Sequence, residues 1–245
     1  MEETKQQARP SVAVIIPARG GSKGILNKNI LDFCGRPLLA WSILQSLAAK
    51  SVDQVFVSSD SPAILEISEQ NGARGIVRPA ALANDTASSE DALLHALAWI
   101  ERDSKLPDWI AFLQATSPLR EPGDIDGSIS AAESGGFDSL FSMSVLHDCT
   151  IWHRVGEELR GLTFDPWKRG RRQDRAPLFL ENGSIYLFRP EVLRRANNRF
   201  GKRIGMFEME AWKAHEIDDL AGMELCEYYF RKRRLDQGLT TGERV

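Results

Sequence analysis

From residue 12 to residue 145 the chain alternates short apolar runs with stretches whose apolar residues return every three or four positions. Val12–Ile16 is wholly apolar, the composition of a strand covered on both faces. A helix is expected from about Pro37, with Trp41, Leu44, Leu47 and Ala48 along one side. Gln54–Val57 then reads as a strand, Asp60-Ser61-Pro62 as a helix start, and Arg74–Val77 as a strand. Ser89–Ile100 aligns Leu93, Leu97 and Ile100 as a helix. Trp109–Leu113, Asp124–Ala132 and Leu140–Val145 continue as strand, helix and strand. Such alternation predicts a three-layer, doubly wound α/β fold with a mainly parallel sheet and helices on both faces. Ligands in such folds bind beyond the carboxyl ends of the strands.

The rhythm breaks over 146–180, which is polar, holds Pro166 and Pro177, and concentrates Lys168, Arg169, Arg171, Arg172 and Arg175. This stretch is expected to leave the sheet as an arm or a lid. Strands resume at Ile185–Phe188 and Ile204–Met209, and a last helix over Leu220–Arg233 aligns Leu220, Met223, Cys226 and Phe230. The expected organisation is a polar tail over 1–11, one domain over 12–234 and a second tail over 235–245; the length of 245 residues suits a single α/β domain.

Basic and acidic residues number 31 and 34, for a net charge of −3, so no broad positive field points to nucleic acid. The basic run Arg231–Arg234 closes a helix, where its charge suits the macrodipole. Cys34, Cys149 and Cys226 form no paired motif, which argues against a zinc site or a disulfide scaffold and fits a reducing compartment. The opening residues lack the apolar core of a signal peptide, and no apolar run is long enough to span a membrane. A cytoplasmic protein with no membrane partner is the expectation.

Three clusters carry chemistry. After the first strand comes Arg19-Gly20-Gly21-Ser22-Lys23-Gly24, with Lys28-Asn29 close behind. A glycine-rich turn lets backbone N–H groups approach phosphate oxygens while neighbouring cations offset their charge. The spacing matches neither the Walker pattern nor the dinucleotide fingerprint. The second cluster is Glu216-Ile217-Asp218-Asp219, whose first and third side chains share a side of an extended segment and could reach one Mg²⁺. Asp219 is better placed to cap the last helix. The third is Arg171-Arg172-Gln173, followed by Asn182-Gly183 and Tyr186, where a guanidinium could clamp a carboxylate.

The segment IIPARGGSKGILNKN resembles the signature of the acylneuraminate cytidylyltransferases. RPAALANDTASSEDALLHAL, LQATSPLR, RRQDRAPLFLENGSIYLF and HEIDDLAGMEL fit the same family in the same order, from about Val12 to Phe230. The resemblance implies a nucleotide-diphospho-sugar transferase-like fold and CMP transfer from CTP to an acidic 2-keto sugar. It implies that Arg19, Lys23 and Lys28 contact the triphosphate, with Gly20, Gly21 and Ser22 in the same loop. Asn29, Arg78, Ser88, Ser89 and Gln114 would hold ribose and cytosine, although Ser88 and Ser89 could equally cap a helix. Arg172 and Gln173 would bind the sugar carboxylate, and Asn182 and Tyr186 would line the sugar pocket. Asp218 and Glu216 would bind Mg²⁺, Glu216 either directly or through water, since Asp is more usual at its position. A homodimer that shares the arm is also implied.

The segment His147–His153 departs from the family, because the expected sugar-contacting lysine is missing. That leaves N-acetylneuraminate, a deaminated acid and a di-amino nonulosonic acid open as acceptors. A 3-deoxy-octulosonate or sugar-1-phosphate nucleotidyltransferase and a non-catalytic nucleotide-binding protein are the alternative functions.

Overall fold

In the computed structural model the described residues are 9–239 except 23, 85, 147 and 148, and residue 172 is described by its backbone alone. The chain begins with β1 (Val12–Pro17), passes a short hairpin of β2 (Asp32–Phe33) and β3 (Arg36–Pro37), and enters α1 (Leu38–Ala48). It continues through β4 (Gln54–Ser59), α2 (Pro62–Gln70), β5 (Arg74–Val77), α3 (Ser89–Asp103) and β6 (Trp109–Leu113). Next come α4 (Pro122–Gly135), β7 (Ser139–Leu146), and a hairpin of β8 (Trp152–Val155) and β9 (Glu158–Gly161). The remainder is β10 (Leu178–Phe188), α5 (Pro190–Ala196), β11 (Ile204–Glu208) and α6 (Leu220–Arg233).

Seven strands form the central sheet in the order β11-β7-β10-β6-β1-β4-β5. All neighbouring pairs are parallel except those made by β10, which runs antiparallel to both β6 and β7. The mainly parallel, doubly wound expectation therefore holds. Alternate residues of β1 feed opposite layers, as strand geometry requires. Val12, Val14 and Ile16 pack with Leu39 and Ile43 of α1, Ile64 of α2, and Ile125 and Ile129 of α4. Ala13 and Ile15 pack with Leu93, Leu97 and Ile100 of α3 and Leu193 of α5.

Three features differ from the sequence expectation. The expected stripe on α1 is only part of its buried surface. Leu39 and Ile43 meet the sheet, Trp41 and Leu44 meet Phe230 and Cys226 of α6, and Ala48 is exposed. The helix is enclosed from two sides, so no single stripe describes it. Second, β10 begins seven residues before Ile185, at Leu178, and pairs with β7 out to Leu146. This narrows the excursion to about 147–177, and part of that is the β8–β9 hairpin. Its alternation is hidden because both faces are exposed. Third, the ends pack further than expected. Ser11 bonds Asp108 through its N–H and its hydroxyl, both at 2.8 Å, and Leu235 and Leu239 are buried against the α6 cluster. Among the described residues no helix is long and apolar enough to cross a membrane.

Candidate active site

The loop after β1 is strapped down by contacts that close over long sequence distances. The Gly20 N–H donates to Asp60 Oδ1 at 3.0 Å, so this amide is already committed to a protein carboxylate. Asp60 thus secures the loop, and Ser61 occupies the N-cap position of α2. Gly24 lies against the acidic segment: a Cβ there would sit 2.1 Å from the Asp218 carbonyl oxygen, which no other residue could accommodate without a shift. Lys28 reinforces the junction, its Nζ donating to the Ile217 carbonyl at 2.6 Å and to Asp218 Oδ1 at 3.1 Å. The Asn29 amide donates to the Arg19 carbonyl at 3.0 Å.

These contacts frame a cavity of about 470 Å³ whose wall includes Arg19, Ser22, Lys28, Asn29, Ser89, Gln114 and Asp218. A second cavity, of about 480 Å³, is lined by Gln114, Glu181, Asn182, Tyr186, Glu216 and Asp218, among others. Gln114 and Asp218 belong to both, so the two spaces meet at those side chains. The site follows the carboxyl ends of β1 and β6, where the fold class predicts it.

The expected nucleotide residues divide into wall and support. Arg19, Ser22, Lys28, Asn29, Ser89 and Gln114 come together on the wall. Gly20 and Gly21 belong to the same loop but are not among the wall residues. Ser88 is the N-cap of α3 in a capping box with Asp91, so its hydroxyl serves the helix while Ser89 faces the cavity. Arg78 is buried rather than on the wall; burial lowers its pKa, and nearby Arg19 does too, while Asp60 opposes them. Lys23 lies outside the described residues.

On the sugar side, Asn182 is 3% exposed and its amide is largely spent inside the protein. Asn182 Oδ1 accepts from Ser142 Oγ at 2.5 Å and from the Ser184 N–H at 3.3 Å. The Tyr186 hydroxyl donates to Glu181 Oε1 at 2.5 Å, and burial first, then Glu181, pushes its pKa up. The tyrosine ring stacks on Phe112 at 5.3 Å, under the Arg199 guanidinium. Gln173 does not join this group. It lines a separate cavity of about 610 Å³ in the arm, with Lys168, Arg169, Arg171 and Arg175. The backbone of Arg172 belongs to a short 3-10 turn with Gln173, and its side chain lies outside the described residues, as does His147. Gln173 thus lines a different cavity from Asn182 and Tyr186 within this chain, one walled by Val145 and Leu146 of β7 and by Leu178 at the start of β10.

The acidic segment also splits by role. Asp219 caps α6 by accepting from the Gly222 N–H at 2.7 Å, as expected. The Asp218 side chain is 78% exposed and stands between the two cavities. Glu216 turns back to accept from Ser117 Oγ at 3.3 Å. Its carboxyl is held above the usual range by burial and by Asp218, against Ser117, Arg120 and Lys28. Among the described residues no group of three or more His, Cys, Asp or Glu is gathered for a metal. One exposed carboxylate and one recessed carboxylate beside the cavity that Arg19 and Lys28 line nonetheless suit Mg²⁺, which takes few protein oxygens and completes its shell with phosphate and water.

Arg120 is the residue the sequence reading passed over. It is fully buried and donates to Ser184 Oγ, Ser42 Oγ, Gln45 Oε1 and, at 2.5 Å, the Gln114 carbonyl. Burial pulls its pKa down to about 9, with Asp124 and Glu216 opposing. It ties the end of β6 to the turn of β10 beneath both cavities. An arginine closing the apolar end of LQATSPLR was the available signal.

A cytidylyltransferase family profile matches residues 13–236, and the chain belongs to that family. An N-acylneuraminate cytidylyltransferase A from Danio rerio is 30% identical over 218 residues, which are 87% of this chain and 49% of the relative. A pseudaminic acid cytidylyltransferase from Campylobacter jejuni is 42% identical over 106 residues, 43% of this chain and 46% of that protein. The chain spans about half the length of these relatives. A solved CMP:2-keto-3-deoxy-manno-octonic acid synthetase complexed with CTP shares the fold at a TM-score of 0.69 and 20% identity, covering 91% of this chain and 99% of that one.

Proposed function

We propose that this protein transfers CMP from CTP to the anomeric hydroxyl of a nonulosonic acid and releases pyrophosphate. The observation that carries the reading is the pair of cavities meeting at Gln114 and Asp218, one lined by cations and amides and the other by Glu181, Asn182, Tyr186 and Glu216. Family membership and relatives named for N-acylneuraminate and pseudaminic acid support the same reaction class. In this reading Arg19, Lys23 and Lys28 take the triphosphate, and Asn29, Ser89 and Gln114 hold ribose and cytosine. Arg78 and Ser88 support them from behind.

The sugar oxygen forms a bond to the α-phosphorus as the bond to the departing pyrophosphate breaks and the hydroxyl proton is lost. Lys28 and Arg19 stabilise the charge that shifts onto the phosphate oxygens. Asp218 would hold Mg²⁺, with Glu216 acting directly or through water, and the ion would neutralise phosphate charge. Because the donor is a free nucleotide, the reading favours a cytoplasmic enzyme. Arg172 and Gln173, held on the arm, would bind the sugar carboxylate across a homodimer. Trp152, Leu159, Leu162 and Trp167 are exposed on or beside the arm, with Trp167 at 90%, and a second copy would cover them.

The test is pyrophosphate release with CTP and a panel of acceptors: acylamino, deaminated and di-acylamino nonulosonic acids, 3-deoxy-octulosonate, and a sugar 1-phosphate. Release is expected only when CTP and a nonulosonic acid are both present. Release with a sugar 1-phosphate and no sugar acid would refute the reading.

A further inference from the structure

The polar groups around the sugar-side cavity are mostly committed to the protein itself. The Asn182 carbonyl oxygen accepts from Ser142 and Ser184, and its NH₂ reaches Ser144 Oγ at 3.4 Å. The Tyr186 hydroxyl has one proton to donate, and it goes to Glu181 Oε1. Glu216 faces Ser117 and the Gly183 turn, and Asp218 pairs with Lys28. The His215 ring stacks on Tyr229 with centroids 5.5 Å apart. Glu181 differs from these: it is exposed, it lines the cavity, and the only bond described for its carboxylate uses Oε1.

We propose that Glu181, positioned by Tyr186, selects the sugar acceptor by taking a hydrogen bond from one of its amide N–H or hydroxyl groups. The inference rests on the sugar-acid reading of this cavity. An ionised carboxylate can only accept, so the group it recognises must be a donor. Its charge also repels an acidic substituent brought to the same place, which helps set the orientation of an acidic sugar. Tyr186 then acts through Glu181. Its ring is fixed between Phe112 and Arg199, and its hydroxyl fixes the angle of the carboxylate.

The two roles of Tyr186 separate in a double-mutant cycle. Glu181→Leu removes the acceptor from an exposed position, where folding should tolerate it. It should raise the KM for an acylamino nonulosonic acid by about tenfold or more. The KM for CTP should stay within about twofold, and kcat should change less than the sugar KM. Glu181→Gln keeps an acceptor oxygen and should recover part of the loss. Tyr186→Phe should weaken sugar use in the wild-type background and add nothing to Glu181→Leu, because its effect passes through that carboxylate. Equal losses from Tyr186→Phe in both backgrounds would mean that the tyrosine touches the sugar itself and would overturn the proposal. An unchanged sugar KM in Glu181→Leu would overturn it as well. Wild-type protein that turns over no sugar acid would remove the functional reading and this inference together, whereas wild-type turnover indifferent to position 181 removes the inference alone.

Discussion

Lys28 shows how one side chain serves both structure and chemistry. Its ammonium closes the glycine loop onto Ile217 and Asp218 while lying on the wall of the nucleotide cavity. Replacing it with methionine keeps most of the apolar stem and removes the charge. Turnover should fall about a hundred- to a thousandfold with CTP saturating, on the order of 3 kcal/mol in the transition state. Circular dichroism should report an intact fold, and near-normal turnover would contradict the assignment. Residue roles were legible where the partner is close in sequence. Asp219 could be read as a helix cap because its partner is Gly222, three residues away. Arg120 could not, because Ser42, Gln45 and Ser184 lie 64 to 78 residues away and meet it only in the folded chain; nor could Glu181, whose bond to Tyr186 depends on the irregular turn between them in β10.

At the scale of the element, the central feature is the irregularity in β10. The register with β7 shifts between Glu181 and Tyr186, and Gly183 within that interval has φ +68°. A Cβ at Gly183 would fall 1.8 Å from Glu216 Oε1 and 2.8 Å from Gln114 Nε2. The glycine therefore lets the turn sit against both side chains and sends Glu181 and Tyr186 to the same cavity. Gly183→Ala should cost about 1–3 kcal/mol of stability in urea unfolding and raise the sugar KM, since backbone strain and collision act together. Unchanged stability and sugar KM would show that the turn has no role in the site. Asn-Gly followed by an apolar strand was visible in the sequence. The early start of β10 was not, because Leu178–Glu181 pairs only on the β7 side and its side chains are largely exposed.

Across the whole molecule, the parallel sheet and two helical layers were legible because the apolar runs and the three- and four-residue spacings are strong in β1, β4, β6, α3 and α4. The arm was legible only as an interruption, since its hairpin buries little on this chain. Its exposed tryptophans and its Gln173, which lines a different cavity from Tyr186, lead to the prediction that the active form is a homodimer. Sedimentation equilibrium should give twice the chain mass, and Trp167→Glu should shift the protein toward monomer with a loss of sugar use larger than the loss of CTP binding. A fully active monomer would eliminate the shared-arm account. The central claim, that this cleft joins CMP to a sugar acid, is tested most directly by following CTP labelled separately at the α- and γ-phosphates in the presence of an acylamino nonulosonic acid. The account predicts that the α-label enters a sugar-linked CMP product and the γ-label leaves as pyrophosphate. Label from the γ-phosphate on the sugar, or α-label recovered only as free CMP, would contradict it.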